Sequence, residues 1–210
     1  MAERGRPRSF DREAALRQAM EIFWERGYEG TSLADLMAAM NINAPSLYAA
    51  FGGKEALFRE AVTYYRDTDG SATGEALRQG PTARAAVEAM LMTATTVLTL
   101  PGKPTGCLVV LGATNTTPSN RPVDVFLHEI RLASAQSIRK RLLQGIADGE
   151  LPKETDINQL TAYFTTVLHG MSLQARDGVT QAALQGVVRT AMLIWPAPAA
   201  VKRVRTRSAA

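Results

Sequence analysis

The chain carries Thr31-Ser32-Leu33-Ala34-Asp35-Leu36 and, after the break Asn41-Ile42-Asn43, the run Ala44-Pro45-Ser46-Leu47-Tyr48-Ala49-Ala50-Phe51-Gly52-Gly53-Lys54-Glu55-Ala56-Leu57. Leu33, Leu36, Met37 and Met40 share one helical face. Thr31 or Ser32 can cap that helix, and Asp35 stands at capping-box distance from Ser32. Asn41 suits the turn, because asparagine tolerates a left-handed backbone better than most non-glycine residues. Asn43 caps a third helix of barely two turns, with Pro45 tolerated in its first turn. Gly52-Gly53 then separate it from a fourth helix starting at Lys54.

Upstream, Phe10-Asp11 opens a first helix, with Asp11 as cap and Phe10 as a staple on the first turn. Ala15, Leu16, Ala19, Met20, Ile22 and Phe23 recur at helical spacing until Gly27 ends the helix. Three short helices, with a three-residue turn between the second and third, have the geometry of a helix-turn-helix. In such a unit the second helix braces across the DNA backbone and the third enters the major groove. Lys54 lies at a helix start, where free amides and the helix dipole also favour an anion. Thr31 or Ser32 could donate to phosphate in the same way.

The Leu-Tyr-x-x-Phe-x-x-Lys-x-x-Leu spacing of Leu47, Tyr48, Phe51, Lys54 and Leu57 resembles the DNA-binding domain of the tetracycline-repressor (TetR) family, over roughly residues 10 to 62. The sequence departs from the family pattern at Asn41, where glycine is usual, and at Met37, where a small residue is usual. The resemblance implies an all-α fold, with a three-helix DNA-binding head joined to a larger helical effector-binding and dimerisation domain. It implies phosphate contacts from the Tyr48 hydroxyl and the Lys54 ammonium. It turns Asn43, Ala44, Pro45 and Ser46 toward the groove, where Asn43 offers a hydrogen-bond pair and Ala44 and Pro45 only apolar contact. It further implies a homodimer on a double-stranded, palindromic operator, released by a small organic effector and acting as a repressor.

That recognition helix is poor in base-reading groups. The arm before Phe10 offers others: Arg4-Gly5-Arg6-Pro7, followed by Arg8, looks like an AT-hook core for a narrow A·T-rich minor groove. Overall basicity adds little. The 24 basic residues fall to 20 without Lys202, Arg203, Arg205 and Arg207, level with the 20 acidic ones. The sequence thus divides into a basic arm at 1–9, a helix-turn-helix domain at 10–66, a helical effector and dimerisation domain at 67–196, and a basic tail at 197–210.

In the second domain, helical patterns cover about Ala83 to Leu100, Val123 to Gly149, Asp156 to Arg176 and Thr180 to Trp195, with a short helix within Gly106 to Thr117. The Gly-, Ser- and Thr-rich stretch after Asp67 reads as loop into which the fourth helix frays. Met90, Leu91, Leu111, Phe126, Ile130, Tyr163, Phe164 and Val167 are candidates for an apolar effector pocket. Leu168, Met171, Leu184, Val188, Ala191 and Trp195 form stripes suited to a dimer interface, with Gly170 allowing close helix approach.

No catalytic constellation, metal-ligand set or cofactor motif is present, and His128 and His169 are the only histidines. Cys107, the lone cysteine, excludes an intrachain disulfide and fits a reducing cytoplasm. At a helix start it could alternatively act as a redox or electrophile sensor. A third alternative is a helical small-molecule-binding protein with a vestigial DNA motif. The longest apolar stretch, Cys107 to Ala113, falls far short of the ~18 residues a membrane span needs, and the N-terminus lacks the apolar core of a secretory signal.

Overall fold

Each of the first three helices starts on the cap its sequence supplies. The Asp11 carboxylate accepts from the amides of Glu13 and Ala14, and α1 runs Arg12–Arg26. Gly27, at φ 71°, closes it. α2 (Leu33–Met40) begins with a complete capping box between Ser32 and Asp35. Asn41 then takes a left-handed conformation (φ 51°, ψ 46°), the only non-glycine residue with positive φ among the described residues. α3 (Ala44–Phe51) starts at Asn43, whose Oδ1 accepts from the Ser46 amide at 2.9 Å. Gly52 and Gly53, at φ 78° and 135°, turn the chain into α4 (Lys54–Asp67).

The computed structural model describes residues 10–196, with no strand among them. The arm, including Arg4, Arg6 and Arg8, and the tail lie outside this range. After α4 come α5 (Ser71–Gln79), α6 (Ala83–Val97), α7 (Leu108–Leu111) and a 3-10 turn at Pro118–Asn120. α8 (Arg121–Ala147), α9 (Ile157–Arg176) and α10 (Gln181–Ala191) complete the chain, with a last 3-10 turn at Met192–Ile194. No helix among the described residues is long and apolar enough to cross a membrane.

α5 corrects the expectation of a loop after Asp67. Its Ser71, Thr73 and Gly74 are weak helix formers, but Glu75-Ala76-Leu77-Arg78-Gln79 are strong ones, a local signal that the Gly, Ser and Thr content of the stretch obscures. Tertiary packing adds to it: Leu77 is buried, and α5 packs along α6. The chain turns into it where the Gly70 amide donates to the Tyr65 carbonyl at 2.7 Å. A Cβ at Gly70 would stand 2.6 Å from the Tyr65 ring, so the turn requires glycine there.

Two apolar cores result, and their border does not follow the chain. The first unites α1 to α4 with Leu108, Val109, Ala113, Val123 and Leu127, which all follow residue 67 in sequence. At its centre Phe58 meets Phe23 edge-on at 4.9 Å and Tyr28 at 5.1 Å, and Trp24 meets Tyr65 at 4.7 Å. The second joins α5, α6, the C-terminal part of α8, α9 and α10 around Leu91, Ile138, Phe164 and Leu184. Thus α7 and the start of α8 are built into the DNA-binding head, although they belong to the second half of the sequence.

Candidate DNA-binding surface

α3 buries Leu47 and Phe51 and turns its opposite face outward. Asn43, Pro45 and Ala49 are exposed there, Ala44 and Ser46 are half-exposed, and Tyr48 has 53% of its surface free. The Tyr48 ring lies beside Gly53, with Cε1 3.6 Å from the position of a Cβ. Arg12 braces the helix from behind. Its guanidinium lies 4.5 Å from the Phe51 ring centroid and donates to the Ala50 carbonyl at 3.2 Å and to Glu60 at 2.7 Å.

Two of the expected donors are already engaged. Thr31 is fully buried, and its hydroxyl donates to the Gly27 carbonyl at 2.6 Å, so it seals the end of α1 and does not reach phosphate. Ser32 is exposed, but its single hydroxyl proton goes to Asp35 Oδ2. The Asp35 carboxyl is held below the usual carboxylate range chiefly by that hydroxyl, and it also pairs with the Arg26 guanidinium at 3.2 Å. Thr31→Val should therefore lower unfolding free energy by about 1 kcal/mol while leaving DNA affinity within about twofold. Denaturant titration beside a binding isotherm checks both halves of this expectation. Asn43 also has a prior role, since its Oδ1 holds the Ser46 amide and only its amide nitrogen remains uncommitted. The hydrogen-bond pair expected for a base edge is thus partly spent on the cap.

Lys54 is placed by neighbours that the spacing did not reveal. Its ammonium sits 4.2 Å from the Tyr28 ring centroid. Burial lowers its pKa below the ordinary lysine value, and the charge of Glu29 acts the other way. α4 begins on Gly53 without a side-chain cap, which leaves its first amides available beside the ammonium. Glu29 in turn accepts from Asn120 Nδ2 at 2.9 Å and from the Thr117 amide at 2.7 Å, which draws its carboxyl below the usual range. No sequence motif marks Tyr28 or Glu29, because their partners lie far away along the chain.

The expected pocket residues fall on both cores. Met90, Leu91 and Phe164 are buried in the second, with Tyr163 and Val167 packed on its edge. Phe126 and Ile130 pack on the first, while Leu111 lies against the Gly106 turn. The eight therefore do not line one space. Phe126 instead borders an open groove of about 430 Å³ between α4 and α8, with Arg59, Arg121, Pro122, Val125 and Glu129. Cys107 is half-buried where the two cores meet. Burial, followed by the thiol, raises the Tyr65 pKa well above its ordinary value. His128 is exposed, and burial lowers the His169 pKa.

Residues 15–61 match the family described as bacterial regulatory proteins, tetR family, and residues 83–191 match the tetracyclin repressor-like C-terminal domain. The chain is 32% identical over 194 residues to the HTH-type transcriptional repressor ComR of Escherichia coli (strain K12), covering 92% of each. It belongs to the tetR family. The HTH-type transcriptional repressor BdcR of the same organism is 31% identical over 176 residues, 83% of each chain. Among solved structures, the TetR family transcriptional regulator CifR has 46% identity and a TM-score of 0.88. That comparison covers 91% of this chain and 100% of CifR, a cysteine-substituted form complexed with 26 bp double-strand operator DNA. As a tetR-family member the chain is a DNA-binding transcriptional regulator rather than an enzyme.

Within this tetR-family framework four of the six expected dimer residues need correction. Met171, Leu184 and Val188 are buried in the subunit's own second core, and Ala191 is buried as well. Leu168 and Trp195 lean on the same cluster, with the Trp195 ring 5.8 Å from Phe164. Helical periodicity finds the stripes but cannot tell which core they serve. The outward face of α9 carries Ala162, Thr166, Gly170 and Leu173, and Val187, Leu193 and Ile194 are exposed at the end of α10.

Proposed function

We propose that the chain is a homodimeric repressor that reads a palindromic operator through α3 and leaves it when a small organic effector binds. The observation that carries this reading is the surface just described. Two short capped helices meet at a left-handed Asn41, and the exposed Tyr48 of α3 lies beside Gly53, where Lys54 and the uncapped amides of α4 begin. The names of ComR and BdcR as repressors support it, as does the complex of CifR with operator DNA. On this reading Tyr48, Lys54 and the α4 amides hold phosphates, and Asn43, Ala44, Pro45 and Ser46 meet bases. Arg4, Arg6 and Arg8 add minor-groove contact. The domain limits at residues 66 and 196 then separate head, effector half and tail by role.

The dimer face proposed is Ala162, Thr166, Gly170 and Leu173 of α9, with the exposed end of α10. Small residues let helices approach closely enough for a four-helix bundle across a two-fold axis. For the effector we propose a space opened within the second core near Met90, Leu91, Tyr163, Phe164 and Val167. Thr165 lies in that stretch of α9, and its hydroxyl is buried with no partner among the described residues. An effector group would satisfy it. Such a ligand need only prefer the conformation that binds DNA poorly.

Selection from a random DNA pool tests the proposal. The full chain should enrich an inverted repeat, and no enrichment would contradict the repressor reading. On the selected site, Lys54→Ala should weaken binding to all sequences alike and flatten the slope of log affinity against log salt by about 0.9 for each head's lost phosphate contact. An unchanged slope would remove Lys54 from the phosphate contacts.

A further inference from the structure

The last residue of α9 closes the last turn of α1. Arg176 donates from Nη2 to the Trp24 carbonyl at 2.9 Å, from Nη1 to the Glu25 carbonyl at 3.1 Å and from Nε to the Thr105 carbonyl at 3.0 Å. The Trp24 and Glu25 carbonyls belong to the group at a helix C-terminus that has no amide of its own helix to accept from. The Tyr28 amide, which would be the natural partner of Trp24, donates instead to the Gly112 carbonyl at 2.7 Å. A guanidinium meets this need twice over: its positive charge complements the helix end, and its fixed fork serves several carbonyls at once.

The contact is part of a larger block. Trp24 Nε1 donates to the Gly106 carbonyl at 2.9 Å, and the Cys107 amide donates to Ser172 Oγ at 2.8 Å. Gly106 sits at φ 80°, and a Cβ there would stand 2.6 Å from Leu111 Cδ1 and 2.8 Å from the Ser172 carbonyl oxygen. The end of α1, residues 105–112 and the end of α9 therefore meet with no room for adjustment. Trp24 and Ser172 are buried inside this joint.

We infer that Arg176 is a positioning residue which fixes the head on the dimer helix, and so sets the half-site spacing that the dimer accepts. The inference rests on the proposed dimeric operator reading, because α9 carries both the proposed dimer face and Arg176. Leverage makes the joint matter. α1 has 15 residues. At 1.5 Å each it spans about 22 Å, so a tilt of about 10° at its C-terminal end moves its far end by about 4 Å. That exceeds the rise of one base pair, ~3.4 Å.

The test uses the full-length dimer and a set of duplexes carrying the selected inverted repeat with its half-sites moved apart or together by one and two base pairs. Wild type should bind one spacing best and lose about tenfold or more when it changes by two base pairs. Arg176→Ala and Arg176→Lys should both flatten that preference to within about twofold across the set, because a lysine keeps the charge but lacks the fork. Each variant's spacing ratio is taken against its own best site, so a general loss of stability does not produce the effect. Arg176→Lys also preserves the charge and most of the volume if the alanine variant folds poorly. Variants that keep the wild-type ratio, Arg176→Lys above all, would overturn the inference while leaving the operator reading standing. Failure of wild type itself to prefer any inverted repeat would overturn both.

Discussion

Phe58→Ala should cost the protein about 3–5 kcal/mol and take most of its DNA affinity with it. Phe58 is fully buried in the first core, edge-on to Phe23 and close to Tyr28. Truncation leaves a cavity between α1 and α4 that the two neighbouring rings cannot fill without leaving their own contacts. A loss of that size is a large part of the 5–15 kcal/mol that holds a typical domain folded. It also loosens Tyr28, on whose ring the Lys54 ammonium rests. The same first core holds Leu108 and Val123 from the second half of the chain, so the damage should spread beyond the head. Urea unfolding followed by circular dichroism gives the midpoint shift. Tyr48→Ala is the control: that side chain is 53% exposed, and it should cost well under 1 kcal/mol while still weakening DNA binding. Equal midpoints for the two variants would contradict the description of the core.

Gly170→Arg should leave the subunit folded and break the dimer, lowering operator affinity by about a hundredfold or more. A Cβ at Gly170 meets nothing within 4 Å, so the single chain has room for the new side chain. Replacing a mid-helix glycine also favours the helix locally, by up to about 1 kcal/mol. In the proposed bundle the same side chain would place an unpaired charge between two closely packed helices, an arrangement that strongly opposes association. A monomer keeps one head and loses the second half-site. Sedimentation velocity at micromolar concentration reads the mass directly. A Gly170→Arg protein that remains dimeric would remove this face from the interface.

The head was legible because its information is local. Caps at Asp11, Ser32 and Asn43, the left-handed Asn41 and the glycine pair at 52–53 each act within four residues, and each stands where the sequence implies. Most of what escaped depends on partners far along the chain. α5 opens on Ser71, Thr73 and Gly74, which mask the helix formers Glu75 to Gln79, and it packs along α6. Thr31 satisfies the cap pattern, yet its hydroxyl closes the preceding helix. Tyr28, Glu29 and Arg176 act across separations of 26 to 152 positions, with Lys54, Asn120 and Trp24 among their partners. Apolar stripes on α9 and α10 have the same periodicity whether they face their own subunit or a second copy. Burial decides that Met171, Leu184, Val188 and Ala191 face inward.

The central claim is that two copies of this chain hold one DNA site through α3 and Lys54. Titrating a labelled duplex bearing the selected inverted repeat, beside the same composition in shuffled order, tests it most directly. Two chains per duplex are expected, with the repeat bound about a thousandfold or more tighter than the shuffled duplex and an affinity that falls steeply with salt. Equal affinity for the two duplexes, or one chain per repeat at saturation, would contradict the account.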